Sequence, residues 1–263
     1  MVAPGALCVS LTPRSLDEVF SSDLTGADCA EVRLDYLDNP RESVHTRWDR
    51  LPLPIIVTCR GRARGGRFGG SVEEEISILQ SAVENGAKFV DIDYRSARSF
   101  PGAQVIASFH DFEKTPADID SVLDNACAGP GDIAKVATFV NAWADNQRLL
   151  SLLGRPWPKP VIVIGMGELG QITRIIGPSR GSFLTYAAST NASAPGQLSV
   201  TEMLDIYRGS GGFSITAPYQ TAVIPFLDGL STAARKAGAV NRVSLQDGKW
   251  IGDMIVEQKT GLA

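Results

Sequence analysis

Eight short apolar runs punctuate the chain before Arg208, and helix-like stretches fall between them. The runs are Leu7–Leu11, Ala30–Asp35, Ile55–Cys59, Phe89–Asp93, Val105–Ser108, Ile133–Val140, Val161–Ile164 and Phe183–Ala187. They are short and rich in Val and Ile, which favours strands buried on both faces of a parallel sheet. Helical patterns occupy Ser15–Ser22, Ser43–Arg50, Ser71–Asn85, Pro116–Ala126, Ala142–Leu153, Leu169–Ile176 and Val200–Tyr207. The clearest opens on Ser71, carries Glu74 at the capping-box position and stops at Gly86. Such alternation predicts an α/β chain folded as a (β/α)8 TIM barrel. A doubly wound open sheet competes, but eight strands with a last helix ending near Arg208 fit the barrel better. The chain's 263 residues also suit one barrel with little to spare.

Beyond Arg208 the pattern changes. Gly209–Gly212 reads as a linker, Thr221–Leu230 looks helical, and Val240–Gln246 with Lys249–Ile251 flank the turn pair Asp247-Gly248. The expected organisation is a barrel over residues 1–208 and a short C-terminal α+β extension over 209–263. With Lys+Arg 25 against Asp+Glu 29, the net charge of −4 argues against a nucleic-acid partner held by overall charge. No run reaches the roughly 18 apolar residues of a membrane span. The N-terminal stretch lacks the basic region of a signal peptide. Cys8, Cys29, Cys59 and Cys127 form no C-x-x-C pair, so neither metal nor disulfide is expected. A cytoplasmic, reduced protein is the expectation.

Two glycine-rich stretches invite functional readings. Gly165–Gly170 matches G-x-G-x-x-G, yet it follows the seventh strand and no acid ends the next one, which disfavours a dinucleotide site. Arg60–Gly70 holds four arginines and five glycines. An RNA contact of the RGG kind is one reading. A mobile lid over an anionic substrate suits an acidic chain better.

Charged residues inside apolar strands are more informative. Glu31 and Arg33 share one strand face, and Asp35 continues the row. In a parallel barrel such charges belong at the C-terminal mouth, where active sites are built. Lys135 stands in the apolar run from Ile133 to Val140. An ammonium is costly to bury, and loss of water favours the free amine, the form that attacks carbonyls. The alternative is a structural ion pair with Glu31 or Asp93. His110 follows strand five and suits acid–base work, whereas His45 lies in a polar, solvated stretch. Arg60 ends strand three. Arg174, Ser193 and Gln197 could hold an anion near strands seven and eight.

Together these stretches resemble type I 3-dehydroquinate dehydratase. The resemblance rests on Glu31-Val-Arg33-Leu-Asp35, Thr58-Cys-Arg60, Gly65-Gly66-Arg67-Phe68, Ser108-Phe-His110-Asp111-Phe112, Ala134-Lys135-Val136-Ala137, Arg174 and Ser193-Ala-Pro-Gly-Gln197. It implies dehydration of 3-dehydroquinate to 3-dehydroshikimate, a shikimate-pathway step, with Lys135 forming an iminium and His110 moving the protons. It implies that Arg174, Ser193 and Gln197 hold the substrate carboxylate and that Glu31, Arg33 and Arg60 hold its hydroxyls. It implies no cofactor, and a homodimer is compatible with it. One position departs from the pattern: the family's acid before Gly-Gly, which orients the histidine, is Arg64 here. An arginine cannot accept the imidazole N–H, so reduced activity is expected.

The tail resembles part of the shikimate dehydrogenase substrate domain through Gly212–Pro218, Ala237–Asn241 and Asp247–Gly252. The position of that family's catalytic lysine is Gln220, so no dehydrogenase activity is expected. Two other readings of the whole stay open: a different Schiff-base barrel such as an aldolase, and a barrel that binds its metabolite or a protein partner without turnover.

Overall fold

All eight apolar runs become parallel strands of one sheet. They are β1 (Ala6–Leu11), β2 (Cys29–Arg33), β3 (Ile55–Thr58), β4 (Phe89–Asp93), β5 (Gln104–Asp111), β6 (Ile133–Phe139), β7 (Val161–Met166) and β8 (Leu184–Ala188). The structure is a computed structural model and describes residues 2–189, 194–208 and 212–255. Neighbours run in the order β7-β6-β5-β4-β3-β2-β1-β8. A bridge between Val161 and Ser182 brings β7 toward β8 and nearly closes the barrel. The fold class expected from the alternation is thus the one observed.

Five helices cover this sheet: α1 (Leu16–Phe20), α2 (Val72–Glu84), α3 (Ile119–Ala128), α4 (Trp143–Leu152) and α5 (Gln171–Ile176). Helix α2 carries the expected capping box, with Ser71 accepting from Glu74 N–H and Glu74 accepting from Ser71 N–H. Two reciprocal bonds satisfy two of the donors that every helix start leaves open. The helix expected over Ser43–Arg50 is instead a pair of 3-10 turns, Pro40–His45 and Trp48–Arg50, with an extended Thr46 between them. Residues 94–103 pass from β4 to β5 without a helix.

Period-two alternation assigns the two faces of each strand. Outward Val9, Val32, Val57 and Val90 join the core beneath α2 with Leu79 and Val83. Inward Cys29, Ile56, Phe89, Ile106, Ile133 and Leu184 fill the barrel floor. All four cysteines are buried and free. Among the described residues no helix is long and apolar enough to cross a membrane.

The G-x-G-x-x-G run serves close packing. A Cβ on Gly170 would lie 2.5 Å from the Gly165 carbonyl carbon, and Gly167 adopts φ +83. Thr173 Oγ1 accepts from Gly165 N–H at 2.7 Å, so the turn tucks α5 against the end of β7.

A second compact unit starts at Thr201, earlier than the expected boundary after Arg208. Helix α6 (Val200–Arg208) runs into it, and Tyr207 stacks obliquely on buried Trp250 at 6.4 Å, which explains the earlier boundary. Its sheet comprises β9 (Phe213–Ser214), β10 (Gly229–Leu230), β11 (Arg242–Gln246) and β12 (Lys249–Asp253), ordered β10-β12-β11-β9. The expected hairpin is present. Asp247 (φ 46) and Gly248 (φ 74) form the turn and pair Gln246 with Lys249. The helix expected over Thr221–Leu230 is absent; turns, a 3-10 segment at Ile224–Phe226 and β10 replace it. Pro225 has no N–H for a helix interior. A short helix, α7 (Thr232–Ala237), lies just beyond, capped by Ser231. The linker reading at Gly209–Gly212 falls, except for Gly212, outside the described residues.

Candidate active site

The inward rows change character along the strands. Cys29 is followed by Glu31 and Arg33, Ile56 by Thr58 and Arg60, Phe89 by Asp91 and Asp93, Ile106 by Ser108 and His110, and Ile133 by Lys135. Polar side chains therefore gather toward the strand C-termini, where a cleft opens. Seven of the eight expected side chains line it: Glu31, Arg33, Arg60, His110, Lys135, Arg174 and Gln197. The eighth, Ser193, lies outside the described residues.

Asp91 is the hub. Its Oδ2 accepts from Lys135 Nζ at 2.8 Å, and its Oδ1 accepts from Arg60 Nη2 and Ser108 Oγ, each at 2.8 Å. Burial would raise this carboxyl, but Lys135, Arg60 and His110 together hold it well below the usual range. The structural partner of Lys135 is therefore Asp91, not the Glu31 or Asp93 weighed from sequence. Asp93 pairs instead with Arg95 at 3.0 Å. Lys135 Nζ also donates to Tyr186 Oη at 3.0 Å and lies 4.1 Å from that ring's centroid. Burial, with Glu31 and Asp91 nearby, raises the Tyr186 pKa and keeps its hydroxyl protonated.

Glu31 is oriented from below. Ser10 Oγ donates to one oxygen and Thr58 Oγ1 to the other, both at 2.7 Å. Arg33 forms two parallel bonds to Asp35, at 2.9 and 2.7 Å. Burial alone would lower the Arg33 pKa; the Asp35 contacts outweigh it and keep the guanidinium charged. Arg174 is buried and its Nη1 donates to Tyr186 O at 3.4 Å. Burial lowers its pKa to about 10, so it remains a cation at neutral pH.

His110 sits within β5, which runs further than expected, to Asp111. In register, Ser108 faces Lys135 and His110 faces Ala137, so imidazole and amine occupy neighbouring strands of one face. Burial, then the charges of Arg60 and Lys135, push the His110 pKa well below its ordinary value. The imidazole is thus neutral at neutral pH, the form a base requires.

Arg64 does not turn toward His110. Its Nη2 donates to Glu75 on α2. The arginine-rich loop, read from sequence as a mobile lid, is anchored at three points. Phe68 is buried and its N–H donates to Arg60 O at 3.0 Å. Arg67 N–H donates to Asp35 Oδ2 at 3.0 Å while its guanidinium covers the Tyr36 ring at 3.9 Å. The Arg64–Glu75 pair is the third tie.

The profile of the family described as type I 3-dehydroquinase matches residues 7–214. The chain belongs to that family. It is 36% identical over 216 residues to a 3-dehydroquinate dehydratase from Methanococcus maripaludis, covering 76% of this chain and 97% of the relative. The barrel also superposes on the 3-dehydroquinate dehydratase of Geobacillus kaustophilus with a TM-score of 0.68 at 25% identity, covering 78% of this chain and 92% of the other. A dehydroquinate dehydratase and shikimate dehydrogenase structure from S. pombe shares the fold over 95% of this chain and 64% of its own (TM-score 0.62, 22% identity). The chain is accordingly a type I 3-dehydroquinate dehydratase.

Asp91, Tyr186 and Ser108 were not singled out as site residues from the dehydratase sequence. Asp91 was legible in principle. It alternates with Asp93 in Phe-Val-Asp-Ile-Asp, so both share a face with Phe89. Tyr186 carried no such signal, because a lone tyrosine in an apolar strand is ordinary core material.

Proposed function

We propose that this dehydratase acts through an imine between Lys135 and the C3 ketone of 3-dehydroquinate. The observation that carries the reading is the placement of Lys135 Nζ on the barrel's inward face, lining the cleft and fixed by Asp91 and Tyr186. The Lys135 ammonium, paired with Asp91, releases one proton, its amine attacks the carbonyl carbon, and the ketone oxygen leaves as water after taking that proton and one from the amine, which yields an iminium. That cation accepts the electron pair released when the C2 proton leaves. His110, neutral and one strand away, takes this proton and then protonates the departing C1 hydroxyl. Water finally attacks the imine carbon and frees the amine. The net change is loss of one water.

In this reading Arg174, with Ser193 and Gln197, holds the substrate carboxylate, since a buried guanidinium charged at neutral pH is the natural anion partner. Glu31, Arg33 and Arg60 contact the ring hydroxyls. Glu31 suits that role because Ser10 and Thr58 fix its carboxylate plane. Asp91 keeps the Lys135 amine aimed.

Borohydride reduction with 3-dehydroquinate, followed by peptide mass spectrometry, tests the mechanism. A reduced adduct on Lys135, with turnover abolished in Lys135→Met, is the expected result. A folded, substrate-binding protein with no adduct would leave a barrel that binds its metabolite without imine chemistry.

The C-terminal unit is read as a shikimate-dehydrogenase-like substrate fragment without dehydrogenase activity. Gln220 stands at the lysine position and spends its amide on Ile215 O at 3.2 Å. Asn241 is tied to Ile255 by two bonds of 2.7 Å. Shikimate-dependent reduction of a nicotinamide cofactor by the full chain would overturn this.

A further inference from the structure

His110 has to present one ring nitrogen to a substrate carbon, so something must fix its plane. Among the described residues no carboxylate or carbonyl accepts from the His110 ring. Its ordered ring neighbour is Phe112, stacked with centroids 5.9 Å apart and planes at 17°. Phe112 is itself partly exposed at the cleft. An exposed ring on a strand end needs backing to serve as a wall.

That backing comes from the arginine-rich loop. Gly65 adopts φ +78 at the end of the 3-10 turn Arg62–Arg64, and a Cβ there would lie 2.1 Å from Phe112 Cε2. The loop main chain therefore lies flush against the ring. A Cβ on Gly66 would lie 2.0 Å from Arg60 O, so the chain on the other side of Gly65 is equally confined. The turn is pinned from outside by Arg64, whose guanidinium bonds Glu75 in the first turn of α2. The Glu75 side chain is only 2% exposed, and neither Arg64 nor Glu75 lines the cleft. A partly buried ion pair that joins an irregular loop to α2, with neither side chain lining the cleft, calls for a structural reason.

We propose that the Glu75–Arg64 pair positions His110 through a packed relay, in which the pair fixes the backbone at Gly65, Gly65 backs the Phe112 ring, and the ring sets the imidazole plane. Glu75, Arg64 and Phe112 are positioning residues for the proton transfer, and the inference rests on the reading of His110 as the base. The pair also turns the Arg64 charge away from an imidazole already depressed by Arg60, Lys135 and Arg33.

The experiment compares Glu75→Gln, Arg64→Met, Arg64→Lys and Phe112→Leu with the wild-type full chain, each checked for folding by thermal melt. Wild type is first shown to turn over 3-dehydroquinate and to give the borohydride adduct on Lys135. Failure there sinks the imine reading itself and is distinct from failure of the relay. With wild type active, Glu75→Gln and Arg64→Met keep the Lys135 adduct but lose about tenfold in kcat, with KM within about twofold, as misplacement of a catalytic group predicts. Arg64→Lys, which preserves the charge, recovers to within about threefold of wild type. Phe112→Leu, at a partly exposed position that tolerates the change, lets water reach the imidazole and moves the acid limb of kcat/KM upward. Wild-type kcat in both Glu75→Gln and Arg64→Met overturns the relay. So does a loss carried by KM alone, or an unmoved acid limb in Phe112→Leu.

Discussion

The floor and the mouth of the barrel are built on the same strands, face the same interior and are buried to the same degree, yet they are held by opposite chemistry. The floor residues Ile56, Phe89, Ile106 and Ile133 need only be apolar and of suitable volume. The mouth residues Glu31, Asp91 and Lys135 carry charge at under a tenth exposure. Each loses its water on folding, a cost that its neighbours must offset with bonds and opposite charge. Asp91 receives three such bonds and Glu31 two. The difference teaches that burial does not separate core from site here. The floor stabilises the barrel whatever its exact composition, whereas the mouth is stable only as a complete set and holds Lys135, the nucleophile of the proposed reaction, in one place.

Substitutions at the two levels should therefore divide cleanly between activity and stability. The largest effect is expected at Lys135. Lys135→Met should cut kcat by more than about 10⁴-fold, as loss of a nucleophile does, and steady-state turnover of the folded variant measures it. Next comes His110→Ala, expected to lose about 10²–10⁴-fold in kcat as removal of a general base does. Borohydride trapping at Lys135 should survive in that variant; its disappearance would show that the two residues act as one unit.

On the floor, Ile106→Ala should cost about 2–5 kcal/mol of unfolding free energy by opening a cavity. The folded fraction should keep wild-type kcat, so chemical denaturation and turnover of the same sample read out the comparison. A matching loss of kcat would mean that floor and mouth are coupled. At the small end, Thr58→Val removes one of the two bonds that hold Glu31. A lost bond to a charged group is worth about 1.5–3 kcal/mol, and its mark should be a raised KM for substrate.

The depressed pKa of His110 sharpens the same division through pH. Its base form is complete at neutral pH, so kcat/KM should fall only as pH drops below the ordinary 6.5 toward the folded value. A limb at or above 6.5 in a pH–rate profile would contradict this placement. Glu75 has the opposite sign. Burial raises its carboxyl to about 7 despite Arg64. The folded chain then holds a proton that the unfolded chain releases above the ordinary 4.5, so this group costs stability as pH rises from 4.5 to about 7. Thermal melts across that range should show wild type losing ground to Glu75→Gln.

Legibility from sequence followed the range of the interactions involved. Val/Ile runs report their own burial, so all eight strands were readable, as was the Asp247-Gly248 hairpin with its positive φ angles. Over Thr221–Leu230 the apolar spacing suggested a helix that Pro225, with no N–H to give, breaks up, whereas Ser43–Arg50 is divided into two 3-10 turns by extended backbone at Thr46 and Arg47. The compact C-terminal unit takes in the last helix before Arg208 because the Tyr207–Trp250 contact joins residues far apart in the chain.

What the sequence determined by itself is the barrel, the face on which Glu31, Arg33, His110 and Lys135 lie, and the family. Alternation, a property of neighbours along the chain, is enough for the first two. What the tertiary structure alone decided is which charges meet. Lys135 found Asp91 rather than Glu31 or Asp93, Tyr186 joined it from the far side of the sheet order, and Arg64 found Glu75 on a helix instead of His110. Strand register and barrel closure set those distances, and Coulomb and hydrogen-bond energies fall off too steeply with distance for the order of residues alone to say which partners are close enough to matter.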